Sequence, residues 1–515
     1  MTESPAKPRL STIDVHNPAD GRLVGQVPVD SAETVAAKAR ELRLYQPEWA
    51  GMGPRGRRRW LTAYQDWVLD HAEHIIDVLQ SETGKSRADA SGEPPVAASL
   101  VDYWSRHAEK FLADSHPRSI SPLAITKRLT TSYRPYPVVG VITPWNFPFL
   151  MPGLDVVPAL AAGAAVLLKP SEVTPLSAVE FVRGWSEIGA PPILALATGY
   201  GETGAAVIDN SDFVQFTGST ATGRKVAVAC AERLIPFSLE LGGKDPAVVL
   251  ADADLDRAVN GITWGGMYNS GQVCVSIERV YVEAPVYDEF VAKLSDQVKA
   301  LRQGQDDRSW KFDVGALATA AQRDIVSRHV DEAVAAGARV VTGGKPTGTG
   351  TFFEPTVLVD VDHSMACMTE ETFGPTLPVM KVADEAEAIR LANDSQYGLS
   401  ATVWSQDKQR ADRVARQLDV GAVNINDVLS NAFAQEIPMG GWKHSGIGAR
   451  WGGASGILKY CRQQAITSPL LPTPAKELMW YPASRRGVGV AFGLLRAAAS
   501  HGLRRVGITP KGARR

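Results

Sequence analysis

Cysteine is scarce in this chain: four in 515 residues, Cys230, Cys274, Cys367 and Cys461, with no C-x-x-C pair. That spacing argues against a disulfide framework and against a thiolate zinc site, so no metal is expected and a reducing cytoplasm is the compartment it suits. Charge excess is lacking too. A formal net charge of −2 and a sequence pI near 6.5 give no bulk attraction to nucleic acid, which is not expected as a partner. No apolar run is long enough to cross a bilayer as a helix. The longest, Leu154 to Leu168, is interrupted by Asp155 and Pro158 and reads as a buried helix followed by a strand. The first nine residues lack the apolar core of a secretory signal, so export by that route is not expected.

What is present is an ordinary globular composition, 44% hydrophobic and 21% charged, enough for two or three domains with sizeable cores. Asn17-Pro18-Ala19-Asp20-Gly21 reads as a hairpin turn. Apolar residues from Trp60 to Leu79 at helical spacing predict one helix over Pro54 to Gln80, with Gly84 punctuating its end. Alternation over Ile125 to Tyr133 predicts an exposed strand of a two-stranded arm. From Val138 to Leu250, short β-rich runs alternate with helical segments: 138–142, 164–168, 193–197, 213–216 and 247–250. This is the signature of βαβ units and a largely parallel sheet, which takes ligands at the carboxyl ends of its strands. A second alternating region follows to about Val423, with the boundary near Gly242-Gly243. Beyond Ile466 the chain turns basic. Arg485, Arg486, Arg496, Arg504, Arg505, Lys511, Arg514 and Arg515 accompany a stripe of Val488, Val490, Phe492, Leu494 and Leu495, a pattern that suits a solvated tail, a packed helix or weak contact with an anionic membrane surface.

Chemistry is carried by short motifs at predicted strand ends. Cys274 sits among small and polar residues, Asn269-Ser270-Gly271-Gln272-Val273-Cys274, which leave room to present sulfur to a ligand. Pro144-Trp145-Asn146-Phe147-Pro148 fixes an amide between two prolines, which suits an oxyanion donor aimed in advance. Lys169-Pro170-Ser171-Glu172 offers groups for ribose hydroxyls. Gly218-Ser219-Thr220-Ala221-Thr222-Gly223 opens a helix after a strand, where free N–H groups hold phosphate. Glu240-Leu241-Gly242-Gly243-Lys244 places a carboxylate with space around it, a candidate general base. Glu371-Thr372-Phe373-Gly374-Pro375 puts a carboxylate and a ring on a constrained turn. Gly199 to Gly204 formally matches G-x-G-x-x-G, but no acidic residue ends the next strand, and it is read as a turn.

In order and approximate spacing these motifs resemble the aldehyde dehydrogenase superfamily from about Asn17 to Ala465. The runs around Glu240, Ser276 to Arg279 and Pro438 to Gly441 look most like succinate-semialdehyde dehydrogenases. The resemblance implies an α/β fold with an unusual Rossmann-type cofactor domain (1–242, with an arm strand at about 118–135) and a second α/β catalytic domain (243–440). A return to the cofactor domain with an oligomerisation strand (441–470) and a basic extension (471–515) complete the expectation, with a homodimer or homotetramer as the assembly. It further implies Cys274 as nucleophile, Asn146 and the Cys274 amide as oxyanion donors, and Glu240 as the base that hydrolyses a thioester. Trp145, Lys169, Ser171, Glu172, Gly218, Ser219, Gly223, Leu241, Glu371 and Phe373 would hold the cofactor. Glu172 favours NAD over NADP, since a carboxylate on the ribose diol repels a 2′-phosphate, and NADP stays as the second choice. The expected reaction is oxidation of a small-molecule aldehyde to its acid. The alternatives are succinate-semialdehyde oxidation proper, transfer of the thioester to coenzyme A, and an inactive structural member of the fold. Two residues depart from the family pattern. Asp155 stands in the helix where acid-semialdehyde enzymes carry an arginine for the substrate carboxylate, which favours a neutral apolar aldehyde. Arg450 stands where the family has a second carboxylate.

Overall fold

The computed structural model describes residues 11–477 and 479–501. Two compact units divide them, the first built from residues up to Phe111 and from Pro135 to Tyr460, the second from Leu112–Arg134 and the chain after Cys461.

The first unit holds two larger sheets. In the six-stranded one the order is Gly446–Ile447, Phe237–Glu240, Phe213–Thr217, Val138–Ile142, Ala165–Lys169, Leu194–Leu196. All neighbours are parallel except the first pair. The chain enters at Val138, works outward to Leu196, then crosses back to Phe213. The order therefore reverses between Val138–Ile142 and Phe213–Thr217, and a crevice opens beyond the carboxyl ends at such a reversal. These strands are almost wholly buried, as their unbroken apolar runs require. The seven-stranded sheet has the order Arg339–Thr342, Thr356–Val359, Thr376–Val382, Ile277–Glu283, Asp245–Val249, Ser400–Trp404, Ala422–Ile425. The chain passes from one sheet to the other across Leu241 to Lys244, at the predicted Gly-Gly.

The turn at Asn17 to Gly21 joins two antiparallel strands, Thr12–His16 and Leu23–Pro28, as expected. The helix expected over Pro54 to Gln80 is instead two, Gly53–Asp70 and Ala72–Thr83. His71 breaks it at φ −102°, ψ 10°: its ring stacks on Trp67 at 4.3 Å and its Nδ1 lies 2.8 Å from the Trp67 carbonyl. Neither glycine nor proline marks that break in the sequence. Gly84 does end the second helix, in the left-handed conformation. The segment Gly199 to Gly204 is a turn only at its start, because a helix begins at Gly201.

In the second unit, Lys127–Pro135 pairs with Cys461–Pro469. The arm strand expected over about 118–135 is thus shorter. Ser119 Oγ accepts from the Ser121 amide at 3.1 Å, and turn bonds at Ala124 and Lys127 occupy the backbone that a strand would need. The basic tail forms a helix, Arg485–Ala499, capped by Ser484. Gly487 and Ala491 are buried while Val490, Phe492 and Leu494 are about half exposed. Arg504, Arg505, Lys511, Arg514 and Arg515 lie outside the described residues. Among those described, no helix is long and apolar enough to cross a membrane.

Candidate active site

Cys274 is presented by a strained loop. The helix Leu255–Met267 ends at Tyr268, and Asn269, Ser270 and Gly271 then take three successive left-handed conformations, φ 52°, 56° and 73°. Such strain persists only where surroundings fix it. Here the Asn269 side-chain amide donates to the Asn146 carbonyl at 3.0 Å, Ser270 Oγ donates to the Gly315 carbonyl, and a Cβ on Gly271 would sit 2.1 Å from the Gly374 carbonyl. That last gap admits only glycine. The Cys274 backbone N–H makes no hydrogen bond among the described residues. Of the four cysteines, Cys230, Cys367 and Cys461 are buried and Cys274 is partly open.

Asn146 reaches the same place from the other sheet. Its loop follows Val138–Ile142 and is held from below by Lys85, whose ammonium donates to the Asn146 carbonyl at 2.9 Å and pairs with Glu93 at 2.6 Å. Both charges are buried, and Glu93 also accepts the amides of Phe149 and Leu150 where the helix Leu150–Ala162 starts. A buried pair of this kind is tolerable because every partner is in place. The Asn146 side chain donates one N–H to the Gln272 carbonyl at 2.9 Å, which leaves its second N–H for a ligand.

Glu240 ends the strand Phe237–Glu240 and is fully buried. Burial pushes its carboxyl up, while the guanidinium of Arg450 and the thiol of Cys274 pull it down. Arg450 Nη1 lies 2.5 Å from Glu240 Oε2; Oε1 is buried without a hydrogen-bond partner, a place where water would be held. The Cys274 thiol is raised well above its ordinary value, first by burial and then by the neighbouring Glu240.

Two cavities meet at this cysteine. One, of about 270 Å³, lies at the carboxyl edge of the six-stranded sheet and is lined by Pro144, Trp145, Asn146, Thr217, Gly218, Ser219, Glu240, Leu241, Gly242, Cys274, Glu371 and Phe373, joined by Met151, Gln322 and Ile325. Most of the residues predicted from sequence therefore come together here. Ser219 caps the 13-residue helix Thr220–Glu232, whose start faces the cavity. Gly242 lets Glu371 approach, since a Cβ there would meet its carboxyl at 2.6 Å; the Gly243 amide donates to Glu371 at 2.9 Å. Burial, with Glu278 behind it, pushes Glu371 up to about 8. The rings of Trp145 and Phe373 meet edge to face at 5.4 Å. Phosphate-ready amides, glycine gaps and a carboxyl beside a ring together fit a dinucleotide.

Four predicted cofactor residues are not in that lining. Lys169, Ser171 and Glu172 stand beyond the adjacent strand end, with Lys169 Nζ 3.8 Å from Glu172 and 2.8 Å from the Pro170 carbonyl. Gly223 lies inside the helix Thr220–Glu232, where a Cβ would strike Leu241 at 2.3 Å. Its place is helix-on-strand packing.

The second cavity, about 290 Å³, is apolar. Phe147, Leu150, Leu154, Trp264, Tyr268, Val273, Leu429, Phe433 and Trp451 dominate its wall, with Met151 and Cys274 shared with the first. Its one charged lining residue is Asp89, a buried carboxyl pushed up to about 7 by that burial; no lysine or arginine lines it. Sequence reasoning missed these wall residues because they are scattered over several helices and loops. It also missed the buried pair Lys244–Glu278, 2.7 Å. Glu278 accepts the amides of Thr372 and Phe373 at 2.7 and 2.8 Å and so holds the Glu371 loop. The motif's own lysine, beside Gly243, was the available signal.

Comparison with known proteins agrees with this geometry. The sequence model described as the aldehyde dehydrogenase family matches residues 6–466. A protein of Mycolicibacterium smegmatis named "Putative succinate-semialdehyde dehydrogenase", with NADP(+) in its name, is 41% identical over 453 residues, 87% of each chain. The 4,4'-diapolycopene aldehyde oxidase of a Methylomonas species is 41% identical over 484 residues, 93% of this chain and 89% of its own. The crystal structure of an NAD-dependent aldehyde dehydrogenase from Sinorhizobium meliloti superposes with a TM-score of 0.86 at 33% identity, covering 90% of this chain and 93% of that one.

Proposed function

The chain belongs to the aldehyde dehydrogenase family and is an aldehyde dehydrogenase, and from that premise we propose that it oxidises a neutral, apolar aldehyde to its carboxylic acid through a thioester on Cys274. The observation that carries this reading is the position of Cys274 in the wall of both cavities, one polar and dinucleotide-shaped, the other greasy.

The buried thiol is a poor nucleophile until it loses its proton, and the carboxylate that raises its proton affinity is also the group placed to take that proton. Sulfur then bonds to the aldehyde carbon. The second Asn146 N–H and the Cys274 amide stabilise the oxyanion, with their aim fixed beforehand by Lys85, Glu93 and Gln272. A nicotinamide dinucleotide, held by Ser219, Gly218, Glu371 and Phe373, supplies the hydride acceptor that takes the sulfur-bound carbon to the acid level. Glu240 then takes a proton from water at its free oxygen, the water oxygen bonds to the thioester carbon, the carbon–sulfur bond breaks, and the acid leaves with Cys274 restored.

NAD is the favoured cofactor because Glu172 stands at the strand end expected to meet the ribose. The printed names of relatives divide on this point between NADP(+) and NAD. Substrate choice rests on the second cavity, where no cation is present to pair a substrate carboxylate, whose burial unpaired would be costly. Succinate semialdehyde is the second reading, favoured by the name of the mycobacterial relative. The exposed strand Cys461–Pro469 suits a homodimer or homotetramer, and the tail helix with its arginines suits weak contact with anionic lipid on the cytoplasmic side.

The test is NADH formation across aldehydes matched for size, with and without coenzyme A. Oxidation of neutral apolar aldehydes at least ten times better than succinate semialdehyde, independent of the thiol, is expected. Preference for the acid semialdehyde would reverse the substrate reading, coenzyme A dependence would reject hydrolysis, and no NADH from any aldehyde would mean an inactive scaffold. For the tail, truncation after Ile466 should lower sedimentation with anionic liposomes; equal sedimentation would remove the membrane contact.

A further inference from the structure

Behind Glu240 lies a cluster of buried charges that the reaction as described does not use. Arg450 is buried, with Nη1 2.5 Å from Glu240 Oε2 and Nη2 3.7 Å from Asp155 Oδ2. Asp155 is itself fully buried, on the helix Leu150–Ala162. Lys459 Nζ lies 3.8 Å from Asp155 and donates to Gln215 Oε1 at 2.7 Å and to the Arg450 carbonyl. A carboxylate, a guanidinium and a second carboxylate thus alternate inward from the reacting sulfur, braced by an ammonium. Four charged groups buried together are costly unless they compensate one another, and this row runs directly into the base.

We propose that Arg450 is the positioning residue of this site: its guanidinium, held by Asp155 and Lys459, fixes the Glu240 carboxylate beside Cys274 and keeps it ionised for thioester hydrolysis. The inference rests on the hydrolytic reading above.

Geometry supports it from both sides. Arg450 Nη2 touches Met151 Sδ at 3.1 Å, and its guanidinium packs 4.9 Å from the Trp451 ring, so the cation cannot swing away from Glu240 without displacing cavity wall. With one Glu240 oxygen in this ion pair, Oε1 is left for water. The charged groups that bear on Glu240 act in opposite senses. Arg450 lowers its proton affinity, as does the Cys274 thiol, whereas Asp155 raises it. Glu371, across the cavity, also interacts with Glu240. Asp155 is faced in turn by Lys459 and Tyr460, and Cys274 by Asp245. Burial alone would protonate Glu240 near neutrality, and the adjacent cation opposes that.

The opposed signs make the test specific. The pH dependence of steady-state turnover and of the pre-steady-state NADH burst would be measured for the wild type, Arg450→Gln, Arg450→Lys and Asp155→Asn, with Glu240→Gln as the floor and thermal unfolding as the check on folding. For Arg450→Gln the acid limb of turnover should move upward by one pH unit or more, so that turnover at pH 7 falls at least about tenfold, a unit being a factor of ten; Arg450→Lys should restore most of it. For Asp155→Asn the limb should move downward. Limbs that stay in place while turnover falls uniformly, or that move the same way in both variants, overturn the proposal and leave Arg450 a packing residue. If Arg450→Gln does not fold, the direction of the Asp155→Asn shift decides. Absence of any NADH from the wild type would instead overturn the hydrolytic reading itself.

Discussion

The two cavities that share Cys274 are built by different means. Around the first, the wall is largely backbone: strand-end loops pinned by Pro144, Pro148, Gly218, Gly242 and the left-handed Phe373, with buried charges such as Lys244–Glu278 serving only to hold those loops. Around the second, the wall is side chain, contributed by Phe147 and Leu154 near one helix, Trp264 and Tyr268 near another, and Leu429 and Phe433 on a late loop. A wall of backbone amides can recognise a ligand common to many reactions but is hard to retune. A wall of side chains changes with each substitution. The proposed cofactor and the proposed substrate fall on the sides that this difference suits.

The largest effect is expected where the two meet. Cys274→Ala should reduce aldehyde oxidation below detection while NAD affinity, followed by quenching of Trp145, stays within about twofold, because the sulfur contributes one atom to the cofactor-side wall and the whole of the nucleophile. Oxidation retained at even a hundredth of the wild-type rate would mean that the shared residue is not the reacting one, and the comparison would lose its axis.

A substitution confined to the apolar side should be smaller and should depend on substrate. Gly92 lines that cavity, and a Cβ there meets nothing closer than the Tyr268 hydroxyl at 3.5 Å, so Gly92→Val fills space without strain. In the wild type each added methylene should raise kcat/KM about fourfold while the chain still fits, from roughly 0.8 kcal/mol per buried CH₂. In Gly92→Val that rise should stop at a shorter aldehyde, with the shortest substrates unaffected. A uniform loss across chain lengths would show that the cavity does not hold the alkyl chain.

The same contrast explains what could be read before the fold was known. Loops that carry backbone geometry leave proline, glycine and a lone functional residue next to one another, so Asn146, Glu240, Cys274 and the Glu371 loop are visible as short strings, and strand-and-helix alternation places them at sheet edges. The apolar wall leaves no string. Phe147 and Phe433 are nearly three hundred positions apart in the numbering and look like any core residue. The row Asp155–Arg450–Lys459 was visible only as two departures from a family pattern. That they form one buried network depends on the antiparallel return of Gly446–Ile447 beside Phe237–Glu240, which local sequence does not encode. The break at His71 was hidden because side-chain stacking on Trp67, not glycine or proline, makes it.

The smallest effect tests the edge of the backbone-built side. Glu172 is about 42% exposed at its side chain and 3.8 Å from Lys169, and burial lowers the proton affinity of that lysine. Solvent screens a charge so placed, and exposed pairs are worth no more than about 1 kcal/mol, so its discrimination against a 2′-phosphate should be modest. Glu172→Gln is expected to raise the kcat/KM ratio of NADP to NAD by about two- to fivefold, chiefly through KM, with the NAD reaction little changed. A ratio that does not move would take Glu172 out of contact with the ribose and leave the choice between the two nucleotides to groups nearer Ser219. A fall in kcat with both nucleotides would mean instead that Glu172 supports the strand end itself, and that the backbone wall reaches further than the cavity it encloses.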